Sequence, residues 1–492
     1  MLATTAIEAA THAGAEFADI RVSELRTFEI PLRLDGSLVM TLGYGIRVRV
    51  QGREAFVGAV DATRDGVVHA AQRAVAAARD HAKTAAPARP MVATPVVKGE
   101  WTSPTKIDPF AISPDDHVVI LNGITTWHRR LNVDVWGILT WESETRVFAS
   151  SEGSLMTQRA TRVEQMVEVE GGTWRSYPGD RFLVPGIVSQ TAGVEAVLGD
   201  RMHARFEEAV EDMSQIIKAP RGHAEVGRKD VVLDGANFGA VLARTVIPAL
   251  FLGRALGEEQ DGEGTSFLAP PSDIVSKELF SPLLNVWVEA DAPAYGAMRW
   301  DDEGIATHSV PLIEQGKVQR YLGTRANADA MTTIPVDGTT VLDSTASPSA
   351  VRGATLGVAY ARNVLTLPSA RPGAVSVRPP ATGPSLTELA ETLHNGYLVR
   401  NGSLVVDQQG AGGAILPRVL LEVQRGKITR RILKTRLEFS TQKLLRNILA
   451  LGGPKTVAAA NNQVSGGLPW NSTMCVAQAP AVVLKDLNIM TN

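Results

Sequence analysis

Between Asp19 and about Val60 apolar side chains recur at every second position, and that period fixes strands before anything else is known about the chain. Ile20, Val22, Phe28, Ile30 and Leu32 lead into Leu38 and Met40, then Ile46, Val48 and Val50. Turn chemistry at Asp35-Gly36 and Gln51-Gly52 divides the run into a meander of three strands. Residues 3–14 are Ala-rich with helical spacing. After Asp65-Gly66 the stretch VVHAAQRAVAAARDHAK places Val68, Ala71, Ala74, Val75 and Ala78 on one helix face. Residues 84–113, rich in Pro and Ala, read as a connection. A helix near 114–131, strands from Val133 to about Arg175 and an amphipathic helix at about 192–218 complete this half.

A second pattern begins near Gly222. A strand from Asp230 to Leu233 precedes a helix from Phe238 to Leu256 and the loop GEEQDGEG. Short strands follow, broken by Gly, Pro and Asp, with hairpin signals at Gln315-Gly316-Lys317 and Arg425-Gly426-Lys427. At 492 residues the chain exceeds what one ordinary core organises. The expectation is an α+β protein with an N-terminal α/β domain, residues 1–220, and a strand-rich C-terminal domain, residues 221–492.

The balance of 49 basic against 52 acidic residues excludes the basic excess that a generic nucleic-acid or anionic-membrane binder needs. Cys475 is the only cysteine, so neither an intramolecular disulfide nor a Cys-rich zinc module is available. The first twenty residues carry Glu8 and Glu16 and no basic start, which reads as a helix leading into a strand. Apolar runs never reach the length of about 18 residues that a membrane span needs. A soluble, cytoplasmic protein is expected.

Several stretches resemble the TldD/PmbA (TldE) family, the "modulator of DNA gyrase" metallopeptidase-like proteins. AEFADIRV (15–22), GYGIRVRVQGREAFVGAVD (43–61) and a helix ending AVAAAR resemble the family's opening. VVLDG (231–235), GTSFL (264–268), WDDEGIAT (300–307), VPLIEQGKVQRYLGTRANA (310–328) and EVQRGKITR (422–430) follow in the family's order, and APAVVLKDLNI (479–489) resembles its closing strand. The resemblance implies an N-terminal α/β domain, a C-terminal domain of curved β-structure, and assembly as dimers. It also implies that the TldD branch holds zinc through a His-Glu-x-x-x-His helix and a downstream cysteine. Two such histidines can share one metal while the glutamate activates its water.

Counted back from RALG and GTSFL, the slot for that motif falls on Ala243-Arg244-Thr245-Val246-Ile247-Pro248. Ala243 replaces the first histidine, Arg244 the glutamate and Pro248 the second histidine. Alanine and proline offer no donor atom, and arginine repels a cation. No histidine occurs between His223 and His308, so a small shift in alignment does not restore the motif. The slot is degenerate, and no metal is expected on this chain.

Other candidates are weaker. His203 and Glu207 are four residues apart on a helix, where a solvated contact is the ordinary arrangement. His394 has no partner at metal spacing. Cys475 lies offset from the family's ligand cysteine and reads as a small buried hydrophobe. Glu258, Glu259, Asp261 and Glu263 lack the spacing of an EF-hand loop. The resemblance makes Glu258, Glu259, Thr265, Ser266, Phe267 and Asp301 candidates for peptide or partner contact. Asp301 and Asp302 fit a turn before Gly304 better than a catalytic pair. The serines at 150, 151 and 154 fit a polar turn, and GAGG (410–413) lacks the helix, Lys and Ser/Thr of a phosphate loop.

The leading expectation is a metal-free subunit that pairs with a zinc-bearing TldD-like chain into a peptidase for small or unfolded peptides. Two alternatives remain open. One is a specialised homologue with a zinc-bearing partner in amide hydrolysis or formation in a natural-product pathway. The other is a non-enzymatic homodimer that binds peptides.

Overall fold

Alternating side chains demand a sheet with two unlike faces, and the N-terminal half forms one. The computed structural model describes residues 1–31, 37–83, 90–113, 115–117, 120, 133–171, 180–184, 187–198, 200–260, 264–327, 330, 372–432, 435–466 and 471–491. The expected meander is β1 (Phe17–Pro31), β2 (Ser37–Val50) and β3 (Arg53–Ala59). It is joined by β4 (Lys98–Thr102), β5 (Val133–Ser150), β6 (Leu155–Gly171) and β7 (Asp180–Leu183). The order is β3-β2-β1-β5-β6-β4, with β7 also on β6. Gln51 and Gly52 turn with φ of 49° and 75°, the left-handed pair that suits a two-residue hairpin. Asp35-Gly36 lies outside the described residues.

On one face of this sheet Ile20, Ile46 and Val48 pack against α1 (Leu2–His12) and α2 (Arg64–Ala82). Alanines at 6, 10, 70, 71 and 74 let both helices approach closely. Thr63 caps α2 by accepting from the Gly66 amide at 3.0 Å. The buried face of α2 carries Ala71, Ala74, Val75 and Ala78 as predicted, with Val67 and Ala70 in place of Val68. The stretch 84–113 is more than a connection, because β4 pairs in parallel with the start of β6. Most of the helix predicted near 114–131 lies outside the described residues. The next helix, α3 (Asp200–Lys218), begins later than predicted, after a short 3-10 turn at Val194–Ala196.

The C-terminal half builds two more sheets around one helix. Its elements begin with β8 (Arg221–Gly222), β9 (Gly227–Leu233), α4 (Gly235–Ala249) and α5 (Leu252–Ala255). Then come β10 (Val286–Val288), β11 (Val310–Glu314), β12 (Lys317–Val318), β13 (Ala374–Val377) and α6 (Leu386–Glu391). The long hairpin β14 (Asn395–Val406) and β15 (Gly412–Gln424) leads to β16 (Lys427–Ile432), β17 (Thr435–Ser440) and α7 (Thr441–Arg446). β18 (Ile448–Leu451), β19 (Ala458–Gly466), β20 (Asn471–Ala479) and β21 (Val482–Thr491) complete the chain. One sheet runs β12-β11-β10-β13-β20-β19. The other closes on itself through β14, β9, β21, β17, β15 and back to β14. The hairpins predicted at Gln315-Gly316 and Arg425-Gly426 are present, each with both residues at positive φ.

α4 lies against β14, β19 and β20. Asp234 caps it, accepting from the Asn237 amide at 2.8 Å while its other oxygen accepts from the Asn401 amide at 2.7 Å. Close approach to β20 requires glycine: a Cβ at Gly235 would sit 2.0 Å from the Ala479 carbonyl oxygen, and one at Gly239 2.8 Å from that of Ala477. The single helix predicted from Phe238 to Leu256 is interrupted. Pro248 has no N–H to give the Arg244 carbonyl, α4 ends at Ala249, and Phe251 leaves to bridge Leu322 before α5 begins. Among the described residues no helix is long and apolar enough to cross a membrane.

Candidate functional site

The slot that should carry metal chemistry sits on the last two turns of α4. Ala243 is fully buried in the largest apolar cluster among the described residues, with Val241, Val246 and Ile247, and Pro248 is buried on the same helix. Arg244 alone turns outward, its guanidinium donating to the Leu404 carbonyl at 3.0 Å. Gly235 against Ala479 and Gly239 against Ala477 show that one turn of α4 advances two residues along β20. The next turn carries Ala243 toward Cys475, which belongs to the same apolar cluster. Residue counting along the chain did not bring these two together; helix packing does.

Zinc does not fit these residues. A structural or catalytic zinc needs three or four deprotonated donors. Burial pushes the Cys475 thiol up to about 12, so it is protonated at neutral pH. Ala243 and Pro248 contribute hydrocarbon, and Arg244 contributes a positive charge. Among the described residues no three His, Cys, Asp or Glu side chains gather as a metal-binding group.

Around the slot the predicted contact residues divide. Glu258 is exposed and accepts from the Asn327 amide group at 3.3 Å; Glu259 pairs with Arg254 at 3.5 Å. Thr265 is exposed and Phe267 partly buried. Ser266 is buried and donates to the Ala249 carbonyl at 2.6 Å, so its hydroxyl anchors the strand-like GTSFL segment to the end of α4. Gly410 of the GAGG stretch packs on the Thr245 backbone, where a Cβ would lie 2.7 Å from the carbonyl oxygen. This makes the β14–β15 turn a wall of the slot, a role its sequence did not announce. Asp261 and Glu263 lie outside the described residues.

Asp301 lies in a buried turn. It is 3% exposed, and its carboxylate accepts from the amides of Glu303 at 2.8 Å and Ile305 at 3.0 Å. That turn, closed by Gly304 at φ 79°, is the one predicted, and it is buried against Phe148 and Met156 of the first sheet. Beside it Asp302 accepts from Arg21 at 3.1 Å and from Arg146, and Glu303 accepts from Arg47 at 2.7 Å and from the Arg325 amide at 2.8 Å. Arg325 also grips Glu152 with both terminal nitrogens, at 2.9 and 2.8 Å. Burial alone would raise Glu144, but Arg146 and Arg162, with hydrogen bonds from Arg146 and Ser23, bring it down to about 2. Apart from Asp301, which has only amide donors, these charges are paired, and all but the exposed Glu152 are buried, an arrangement that holds two parts of the chain together.

The remaining candidates stay apart. His203 and Glu207 are exposed on α3, and His394 is exposed before β14. Ser151 and Ser154 accept from the amides of Ala18 and Val97, both at 3.0 Å, which ties down the β5–β6 turn.

Comparison with known proteins places this architecture. The sequence model of the PmbA/TldA metallopeptidase C-terminal domain matches residues 226–490, more than half of the chain. No curated protein matches it. Solved structures match throughout. A protein described as a modulator of DNA gyrase from Bacteroides thetaiotaomicron VPI-5482 is 15% identical, covering 100% of this chain and 98% of its own, with a TM-score of 0.68. TldE from Thermococcus kodakarensis is 15% identical over 98% of both chains, TM-score 0.68. A protein described as a modulator of a DNA gyrase from Thermotoga maritima MSB8 is 12% identical over 99% of both chains, TM-score 0.69. At such identities the structural likeness speaks for the fold alone.

Proposed function

Since the chain belongs to the PmbA/TldD metallopeptidase family, we propose that it is the metal-free subunit of a paired peptidase for small or unfolded peptides. The observation that carries this reading is the slot itself. Its helix is buried, yet presents Ala243, Arg244 and Pro248, and a protonated Cys475 belongs to the same apolar cluster as Ala243. Such a chain cannot activate water on its own metal, but it can shape a chamber and support a zinc-bearing partner. Arg244, Glu258, Thr265 and Phe267 are the exposed or partly exposed groups around the slot that would meet the partner or an extended peptide.

Purification from the native host, with mass spectrometry of bound proteins and metal analysis, tests the proposal. The expected result is a stoichiometric partner of similar size carrying zinc, with peptidase activity in the complex and none in this chain alone. A metal-free homodimer without such a partner would remove the peptidase reading.

A further inference from the structure

The Trp300–Ile305 loop enters the polar face of the first sheet, and four strands receive it. Gln158 of β6 accepts from the amides of Arg299 and Trp300, both at 2.9 Å, and donates to the Trp300 carbonyl at 2.9 Å. Arg21 of β1 and Arg146 of β5 hold Asp302; Arg47 of β2 holds Glu303. Gly304 meets Phe148 and Met156 so closely that a Cβ would lie 2.8 and 2.9 Å away. Arg325 closes the outer side, with its Nε on the Val92 carbonyl at 2.8 Å. Asp301, Asp302 and Glu303 are each 3% exposed.

Among the described residues, one carboxylate in this plug has no cation. The charged groups facing the loop are Asp19 and Arg21 from β1, Arg47 from β2, Glu54 from β3, Glu144 and Arg146 from β5, and Arg325 with Glu152. Each of these arginines is already engaged by Asp302, Glu303, Asp19, Glu144 or Glu152. Asp301 receives only two backbone amides and stands beside Asp302 and Glu303.

We propose that this loop is a proton-keyed latch: it locks the C-terminal half onto the first sheet while Asp301 is neutral, and ionisation of Asp301 loosens it. Burial, then the neighbouring Glu303, raises the Asp301 carboxyl to about 8. The sign follows from that direction. In the released loop the group titrates near its ordinary value of 3.8, so the latch is tightest below that pH. It loses strength as pH rises toward about 8 and changes no further above it. The latch is independent of any partner or zinc, so its failure leaves the proposed subunit role standing.

Hydrogen exchange on the full chain, corrected for the intrinsic rate at each pH, tests it. Opening of the amides of Asp301, Gly304 and Ile305 is expected to rise about tenfold per pH unit between pH 5 and 7. In Asp301→Asn the acceptor for Glu303 and Ile305 is kept but the ionisation is gone, and the profile should be flat. Parallel profiles for the two proteins would overturn the latch. Should the variant fail to fold, carbon NMR of carboxyl-labelled aspartate in the unaltered protein, with the Asp301 signal assigned in sequence, decides: Asp301 titrating near 8 supports the latch, and Asp301 titrating in the ordinary range overturns it.

Discussion

The seam around Asp302 and the slot around Ala243 are built from opposite materials. At the seam Arg21, Arg47, Arg146, Asp302 and Glu303 are nearly inaccessible and meet one another directly. At the slot, where the family's chemistry would sit, alanine and proline face an apolar cluster and the one charged side chain turns outward. Clustered ionisable residues therefore mark a joint of this molecule. The difference is one of accounting by charge: the seam's carboxylates each have a cation or backbone donors, so nothing there is poised to act on a substrate. Two of the strings that carry the family resemblance reach this seam, WDDEGIAT directly and VPLIEQGKVQRYLGTRANA through Arg325. What makes the chain recognisable is largely its scaffold.

The comparison is broken most directly at Asp302. In Asp302→Ala Arg21 and Arg146 each lose one carboxylate partner inside the protein, Arg146 keeping Glu144 at 2.7 Å, and removing one member of a buried ion pair typically costs about 3–5 kcal/mol. Urea unfolding should show a loss of that size. A loss below about 1 kcal/mol would mean that water or neighbouring groups reach Arg21 and Arg146, and that the seam is not the joint described here.

A smaller effect is expected when the slot is refilled. The double change Ala243→His with Arg244→Glu forces an imidazole into a site with no spare volume, which should cost about 1–3 kcal/mol. It should also bind no stoichiometric zinc, because Pro248 still lacks a donor and the Cys475 thiol is protonated at neutral pH. Metal analysis of the purified variant checks this. One tight zinc per chain would show that the slot lies elsewhere on the helix.

Much of the fold was legible because its signals are local. Period-2 alternation gave β1 to β3, and Gln51-Gly52, Gln315-Gly316 and Arg425-Gly426 marked real hairpins, since both residues of each take up positive φ. β4 escaped because five residues in a Pro-rich stretch are too few to show a period. It exists through its pairing with β6, a contact about 57 positions away in the chain. The seam escaped for a different reason. Alternation says that Asp19, Arg21 and Ser23 share a face unlike that of Ile20, but it cannot tell a face in water from a face covered by another charged segment. The opposing charges lie some 280 residues away, as with Arg21 and Asp302. The slot was found by counting residues, yet its walls at Gly410 and Cys475 come from helix and sheet packing that no spacing encodes.

The smallest expected effect sharpens the same contrast at Cys475. The thiol is buried among hydrocarbon with its ionisation suppressed, so it behaves as a small apolar group. Cys475→Ser keeps nearly the same volume but introduces a hydroxyl that prefers a hydrogen bond, and should cost about 1 kcal/mol. If the slot is metal-free, peptidase activity of the assembled complex should survive that change unaltered once the variant is shown to be folded. Loss of activity in a folded, fully assembled variant would mean that the thiol reaches the reacting groups. The contrast drawn between a charged joint and a chemically silent slot would then no longer hold.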